Sequence, residues 1–587
     1  MATRDRATGS VRPVELRVLD GPNLYLPRPA IKLTLAVPGW LRASDGRVAG
    51  AASALGLPPT PGRAGTEQRR RTTMRVAAAF TRRTAARSGS SRLAVRARAG
   101  SEPDQIVVAF PWRRRGAAEA LAREVARAMA AMLRGRSPLA LADEAAARLV
   151  RVEPGGEPSV PDPELPVVQV TGTNGKTTTV RLLAHLVRSA GLRVAYSSTD
   201  GVYRDDGILV KRGDYSGFGG AAMALNAGPD IAVLETARGG LLLRGSGVLH
   251  NDVAVVTNVS ADHLGLQGID TVDQLAEVKG IITRITRRDG WAVLNADDPR
   301  VLAMRRHATG RPWVCSLDPH HPAIREVLAD GGRAMTVMDG RMTWLERHRA
   351  HPLLAMIDVP VTMAGISSIY THDAMAAAAA GLAVGLPHRA VVRGLRTFVL
   401  DPVRNPGRAN LFRLRERTIV VDYAHNEAGM LGLTELLEGL RPADAAVWLA
   451  ICTAGDRTDP ILHAFAFRAA VGADHLAIAG LEHYLRGRTA EDIVDRLRAG
   501  AADAGMDDVP VHADELTALR AMIDASSPGD VVAVTALGMR PEIFAWLGRR
   551  RATRMTPADV RTVARRAAAS KRRLRGTRRD GRLPAVR

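Results

Sequence analysis

The chain has 587 residues, with 82 Lys and Arg against 60 Asp and Glu and a formal net charge of +22. That length exceeds what one hydrophobic core sustains, and an ordinary globular composition with 46% hydrophobic residues supplies material for several, so three domains are expected. The two cysteines, Cys315 and Cys452, exclude a disulfide framework or a cysteine metal cluster, and no stretch approaches the roughly 20 apolar residues that cross a bilayer.

The first ten residues, MATRDRATGS, contain no apolar run of the signal-peptide kind, and a cytoplasmic location is expected. Residues 14–41 read as short strands broken by Gly and Pro, and residues 116–134 as an amphipathic helix. Between them lies a basic stretch poor in large apolar residues, beginning RRRTTMR at 69–75 and continuing through Arg98. Together they predict a small α+β domain over 1–152 with a basic low-complexity insertion. Residues 153–165, rich in Pro, Gly and acid, predict a linker.

From Pro166 the runs VVQVTG, RVAYSS, IAVLE, DVAVVTN and WAVLN alternate with helical stretches. Strands buried on both faces of a parallel sheet read this way. After Asp401 the pattern restarts with TIVVDYAH, AAVWLAI, HLAIAG and DVVAVTA. The expected fold class is therefore α/β: a phosphate-loop central domain over 166–400 with a mostly parallel sheet, and a Rossmann-like domain over 401–548. Residues 549–587 carry fifteen Lys or Arg against Asp559 and Asp580 and are expected to form a disordered basic tail. No aromatic residues interleave its charges, so nucleic-acid binding through it is a rival rather than the leading reading. Both cysteines are expected to be small buried hydrophobes.

The most informative stretch is VTGTNGKTTT at 170–179. A buried strand precedes it and a helical stretch follows, so Gly172, Thr173, Asn174, Gly175, Lys176, Thr177 and Thr178 are candidate phosphate-cradling residues. Lys176 is placed to reach the β and γ phosphates and the Thr177 hydroxyl to meet Mg²⁺. Val170, however, stands where the usual loop has its first glycine. Three clusters follow where apolar runs end: Glu235 in LETARGG, Asp262 and His263 in VTNVSADHLG, and Lys279 in LAEVKGI. Any one of these alone reads as a surface residue; behind a phosphate loop they become candidate ligands for a phosphate-bound cation.

The series TGTNGKTTT, LETARGG, TNVSADHLG, AEVKG, VLNADDP and VDYAHN resembles the Mur ligase family, and STDGVY, GDYSG, GDR and YLRGR add a likeness to the Mur-like half of the cyanophycin synthetases. LRVLDGPNLY near the start is similar to the beginning of those enzymes. In that family the first glycine is normally missing. The resemblance implies an ATP-dependent ligase that activates a carboxylate as an acyl phosphate and joins it to an amino acid, the acceptor being a carboxylate-bearing molecule such as a peptide.

Residue by residue, it implies ATP contacts at Lys176, Thr177, Asn295, Arg408, Asp422 and His425, metal ligation at Thr177, Glu235, His263 and Lys279, and catalytic roles for Lys176, Glu235, His263 and Lys279. Lys279 aligns with a lysine that the family carbamylates. The segment YTHDAMAAAAAG departs from the family's adenine-contacting His-Asn-x-x-Asn, with Asp373 and Ala376 at its asparagine places, and Glu427 follows VDYAHN where a Pro is usual. The linker near residue 160 stands where a cyanophycin synthetase has an ATP-grasp domain, so synthesis of a polymer backbone is not expected. A non-catalytic or partner-dependent ATP-binding protein is the alternative reading. No membrane partner is expected, and a homo-oligomer is left open.

Overall fold

A computed structural model describes residues 11–205, 207–480 and 485–580, with side chains through Arg573. The opening decapeptide, Tyr484 and residues 581–587 lie outside the described residues. Three sheets organise the chain.

The first has four antiparallel strands in the spatial order Arg12–Leu19, Ala30–Ala36, Gln105–Pro111 and Arg96–Ala99. Helices Glu67–Arg87, Arg115–Leu133 and Pro138–Leu149 share a core with it, built around Trp40, Phe80, Phe110 and Met129. The basic stretch is thus no low-complexity insertion. Thr66 caps the helix by accepting from the Arg69 amide, and Val76, Ala77 and Phe80 are buried. Arg69 itself is buried, its guanidinium bonded to Asp45 and to the carbonyls of Pro61, Gly62 and Ala43. One saturated guanidinium made an apolar helix face look uniformly basic.

The second sheet has eleven strands. Its middle is parallel, running Arg333–Met338, Arg311–Cys315, Thr286–Asn295, Asn251–Val256, Val167–Thr171, Ile231–Glu235 and Val194–Ser198. Antiparallel hairpins extend both ends, Gly201–Arg204 with Ile208–Arg212 and Arg341–Glu346 with Arg349–Ala355. Helices Lys176–Ser189 and Ser368–Ala383 pack together over it, the latter nearly all small residues and buried through most of its length.

The third sheet is parallel through Val511–His512, His475–Ala479, Val447–Ile451, Val531–Thr535 and Arg417–Asp422, then antiparallel through Asn410–Leu414 and Thr553–Arg554. That last strand corrects the expected disordered tail. Thr553–Arg554 joins the sheet, and helix Pro557–Asp580 lies on helix Glu427–Leu440 with Met555, Val560 and Ala567 buried. Lys571 pairs with Glu438 at 2.8 Å, and the Ala443 amide donates to Ser570 at 3.0 Å. The segment has too few apolar residues to fold alone, but each meets an apolar surface already built by the preceding domain.

Cys315 and Cys452 are buried free thiols. Among the described residues no helix is long and apolar enough to cross a membrane.

Candidate active site

Strand Val167–Thr171 is buried throughout and ends in the loop 172–175, from which helix Lys176–Ser189 starts. Two glycines are required there. Gly172 has φ of +155° and a Cβ on it would lie 1.8 Å from Thr257 Oγ1; Gly175 has φ of +84° and its Cβ would lie 2.1 Å from Asp373 Oδ1. The Thr173 amide donates to Asn258 O and the Asn174 amide to Asn258 Oδ1, both at 2.9 Å, so the neighbouring strand end fixes the loop.

Lys176 donates to Thr173 O at 2.8 Å. The Thr177 hydroxyl donates to Glu235 Oε2 at 2.9 Å from the end of strand Ile231–Glu235. Glu235 is 1% exposed, and its Oε1 is buried without a hydrogen-bond partner among the described residues. Burial raises its pKa, with Lys176 and Thr177 pulling the other way. Lys279 ends helix Val272–Lys279 rather than a strand and donates from Nζ to Gly172 O at 2.6 Å. Burial, reinforced by the Lys176 charge, pushes its pKa well below that of an ordinary lysine.

His263 faces the C-terminal domain. Its Nδ1 is 3.2 Å from Asp456 Oδ2 and its Nε2 3.8 Å from Asp262 Oδ2. The His263 hydrogen bond lowers Asp456 to about 2. Burial acts to raise Asp262, but the bond and charge of His425, with His263 and Arg457, hold it below the usual carboxylate range. Arg457 bridges to Asp262 at 3.3 Å, so Asp262 joins the central domain to two side chains of the C-terminal one. Asp456 and Arg457 belong to the GDR stretch, whose position after a strand end was the available signal for a site role.

Arg408 lies over the Tyr423 ring with its guanidinium carbon 4.1 Å from the centroid. Asp422 accepts from Tyr370 at 3.1 Å and from the Ala409 and Ala424 amides at 2.8 Å, so its oxygens shape the loop carrying Arg408. Asn174 and Asn426 exchange side-chain hydrogen bonds of 3.0 and 3.1 Å, tying the phosphate loop directly to the C-terminal domain.

One cavity of about 780 Å³ is lined by residues 172–178, Glu235, Asp262, His263, Lys279, Arg408, Asp422 and His425, together with Arg238, Asp373, Asp456 and Arg457. Nearly the whole predicted set therefore meets in one place. Asn295 is the exception: it is not among the lining residues, and its amide donates to Thr257 O at 2.9 Å. Among the described residues no three of His, Cys, Asp and Glu form a ready-made metal cage.

The comparisons agree with this site. A family model of the Mur ligase middle domain matches residues 170–338, and one of the Mur ligase glutamate ligase domain matches residues 407–538. The chain belongs to the Mur ligase family. It is 31% identical over 411 residues to a UDP-N-acetylmuramyl-tripeptide synthetase of Deinococcus radiodurans, covering 68% of this chain and 76% of that one. It is 36% identical over 374 residues to cyanophycin synthetase of Crocosphaera subtropica, covering 63% of this chain but only 42% of that enzyme. The chain thus spans less than half the length of that relative. Escherichia coli FolC, solved in complex with DHPP and ADP, shares the fold at a TM-score of 0.50 and 21% identity over 67% of this chain and 91% of that one.

Proposed function

We propose that the protein is an ATP-dependent ligase joining the amine of an amino acid to a carboxylate-bearing acceptor through an acyl phosphate. The observation that carries this reading is the Thr177–Glu235 bond beside Lys176 at the phosphate loop, in one cavity with Lys279, His263 and Arg408. The matched tripeptide synthetase, an amide-forming relative by name, supports a peptide as the acceptor.

The donor set suits a hard cation, since Glu235 Oε1 is a buried oxygen with no partner among the described residues. Mg²⁺ held by Thr177 and Glu235, with His263 and a carbamylated Lys279 for a second ion, would neutralise charge on the transferring phosphoryl group. The chain's own groups do the rest. Loop amides and Lys176 hold the triphosphate, and Arg408 adds a second cation from the other domain. The acceptor carboxylate oxygen attacks the γ phosphorus, releasing ADP; the amine then attacks the acyl carbon, releasing phosphate. The contacts of Asp262 with His425 and Arg457, and of Asn174 with Asn426, hold the two domains over the cavity and keep water from the acyl phosphate.

Carbamylation has a physical basis in this site. Its pKa depressed by burial, Lys279 presents a neutral amine able to add CO₂ with loss of one proton, and the product is an anion where an ammonium would repel cations.

The test is ADP release by purified protein with a panel of amino acids and of carboxylate peptides, with amide product followed by mass. Release that requires both substrates and yields the amide is expected; ATP binding without any amide would establish the non-catalytic reading instead.

A further inference from the structure

Asp373 stands in the second turn of helix Ser368–Ala383 and is 1% exposed, yet it lines the nucleotide-sized cavity. A Cβ on Gly175 would lie 2.1 Å from its Oδ1 and 3.1 Å from its Oδ2, so the carboxyl lies flat against the phosphate loop. Its Oδ2 is buried with no hydrogen-bond partner among the described residues. An unpaired carboxyl there is costly to bury unless something completes it.

The groups facing it come from three elements. Lys176 and Thr179 belong to the phosphate-loop helix and Arg408 to the C-terminal domain. Tyr370, on Asp373's own helix, is bonded to Asp422. His372 turns away to Asp297 at 3.1 Å. Burial dominates over Thr179 and the two cations and holds Asp373 well above the usual carboxylate range, so the group is a neutral acid and a hydrogen-bond donor. An ionised carboxylate in the same place would repel a polyphosphate.

We propose that Asp373 is a nucleotide-binding residue that, as a carboxylic acid, donates a hydrogen bond from beneath Gly175 to a phosphate oxygen of ATP. This rests on reading the cavity as the ATP site. It assigns to the phosphate end of the nucleotide a helix position that the family resemblance connects with adenine, and it makes nucleotide affinity fall as pH rises, because the donor is lost with its proton.

Titration calorimetry with AMPPNP and Mg²⁺ tests it on the full chain, with thermal unfolding as the control for folding. Asp373→Asn keeps a donor and is expected to bind within about threefold of wild type, while Asp373→Ala weakens binding roughly five- to tenfold, the worth of one lost hydrogen bond. From mildly acidic to alkaline pH, the wild-type Kd should rise more steeply than that of Asp373→Asn, which lacks the titrating group. If Asp373→Ala binds as wild type does, or if both proteins show the same pH profile, the donor role is refuted. If Asp373→Asn binds far more weakly than wild type, the carboxylate is a charged ligand and the proposal is equally overturned. Absence of any wild-type binding would overturn the ATP reading together with this one.

Discussion

Asn174 in the phosphate loop and Asn426 at the start of helix Glu427–Leu440 exchange reciprocal amide hydrogen bonds of 3.0 and 3.1 Å across the domain boundary. Asn426 Oδ1 also caps its helix by accepting from the Gly429 amide at 2.9 Å. Asn426→Ser should keep the cap and lose the bridge. The expected result is kcat/KM lowered roughly fivefold, about 1 kcal/mol, with Tm little changed. Asn426→Ala should lower Tm as well, because the cap goes with the bridge. Unchanged kcat/KM in Asn426→Ser would show that the bridge does not couple the domains.

Lys176 is the cation at the base of the loop, held by Thr173 O. Lys176→Ala should lower the rate of ADP formation by about 100-fold or more, the usual cost of one preorganised charge partner, while the thermal transition stays within a few degrees. Wild-type turnover in that variant would remove the loop from the mechanism.

Lys279→Ala removes the buried amine bonded to Gly172 O. The expected variant is folded and nearly inactive, partly rescued by small carboxylates that fill the vacated space, and the wild type should lose activity when CO₂ is stripped from the buffer. Because only the neutral amine adds CO₂, reactivation by bicarbonate should be faster above the depressed pKa of Lys279 and slower below it. Full activity in Lys279→Ala would refute the metal-centre role.

A chain ending after Gly548 loses Met555, Val560 and Ala567, all buried against the C-terminal domain, and the edge strand Thr553–Arg554. Burial of a Met and a Val side chain is worth about 3–5 kcal/mol, so this truncation should lower Tm clearly. A chain ending after Arg573 keeps these contacts and should melt as the full chain does. Equal Tm for both truncations would show that the terminal helix contributes nothing.

The central strands and the phosphate loop were legible because their signals are local. A strand buried on both faces must be continuously apolar, as in Val167–Thr171 and Val531–Thr535, and a loop that lets phosphate approach needs glycine where a Cβ would strike Thr257 or Asp373. Glu235, Lys279 and Arg408 were likewise recognisable from their motifs and do reach one cavity.

What the chain could not disclose one residue at a time was who faces whom. Arg69 reads as one more positive charge until Asp45 and three backbone carbonyls surround it, and the terminal segment reads as solvated until Val560 and Ala567 meet a surface made by other residues. Asp373 reads as a lapse from a motif; only the packing of its helix under Gly175 buries it, raises its pKa and aims it at the loop. Periodicity and glycine placement are set by the backbone and are written locally, whereas burial, pairing and protonation depend on neighbours distant in sequence, and these only the tertiary structure decides.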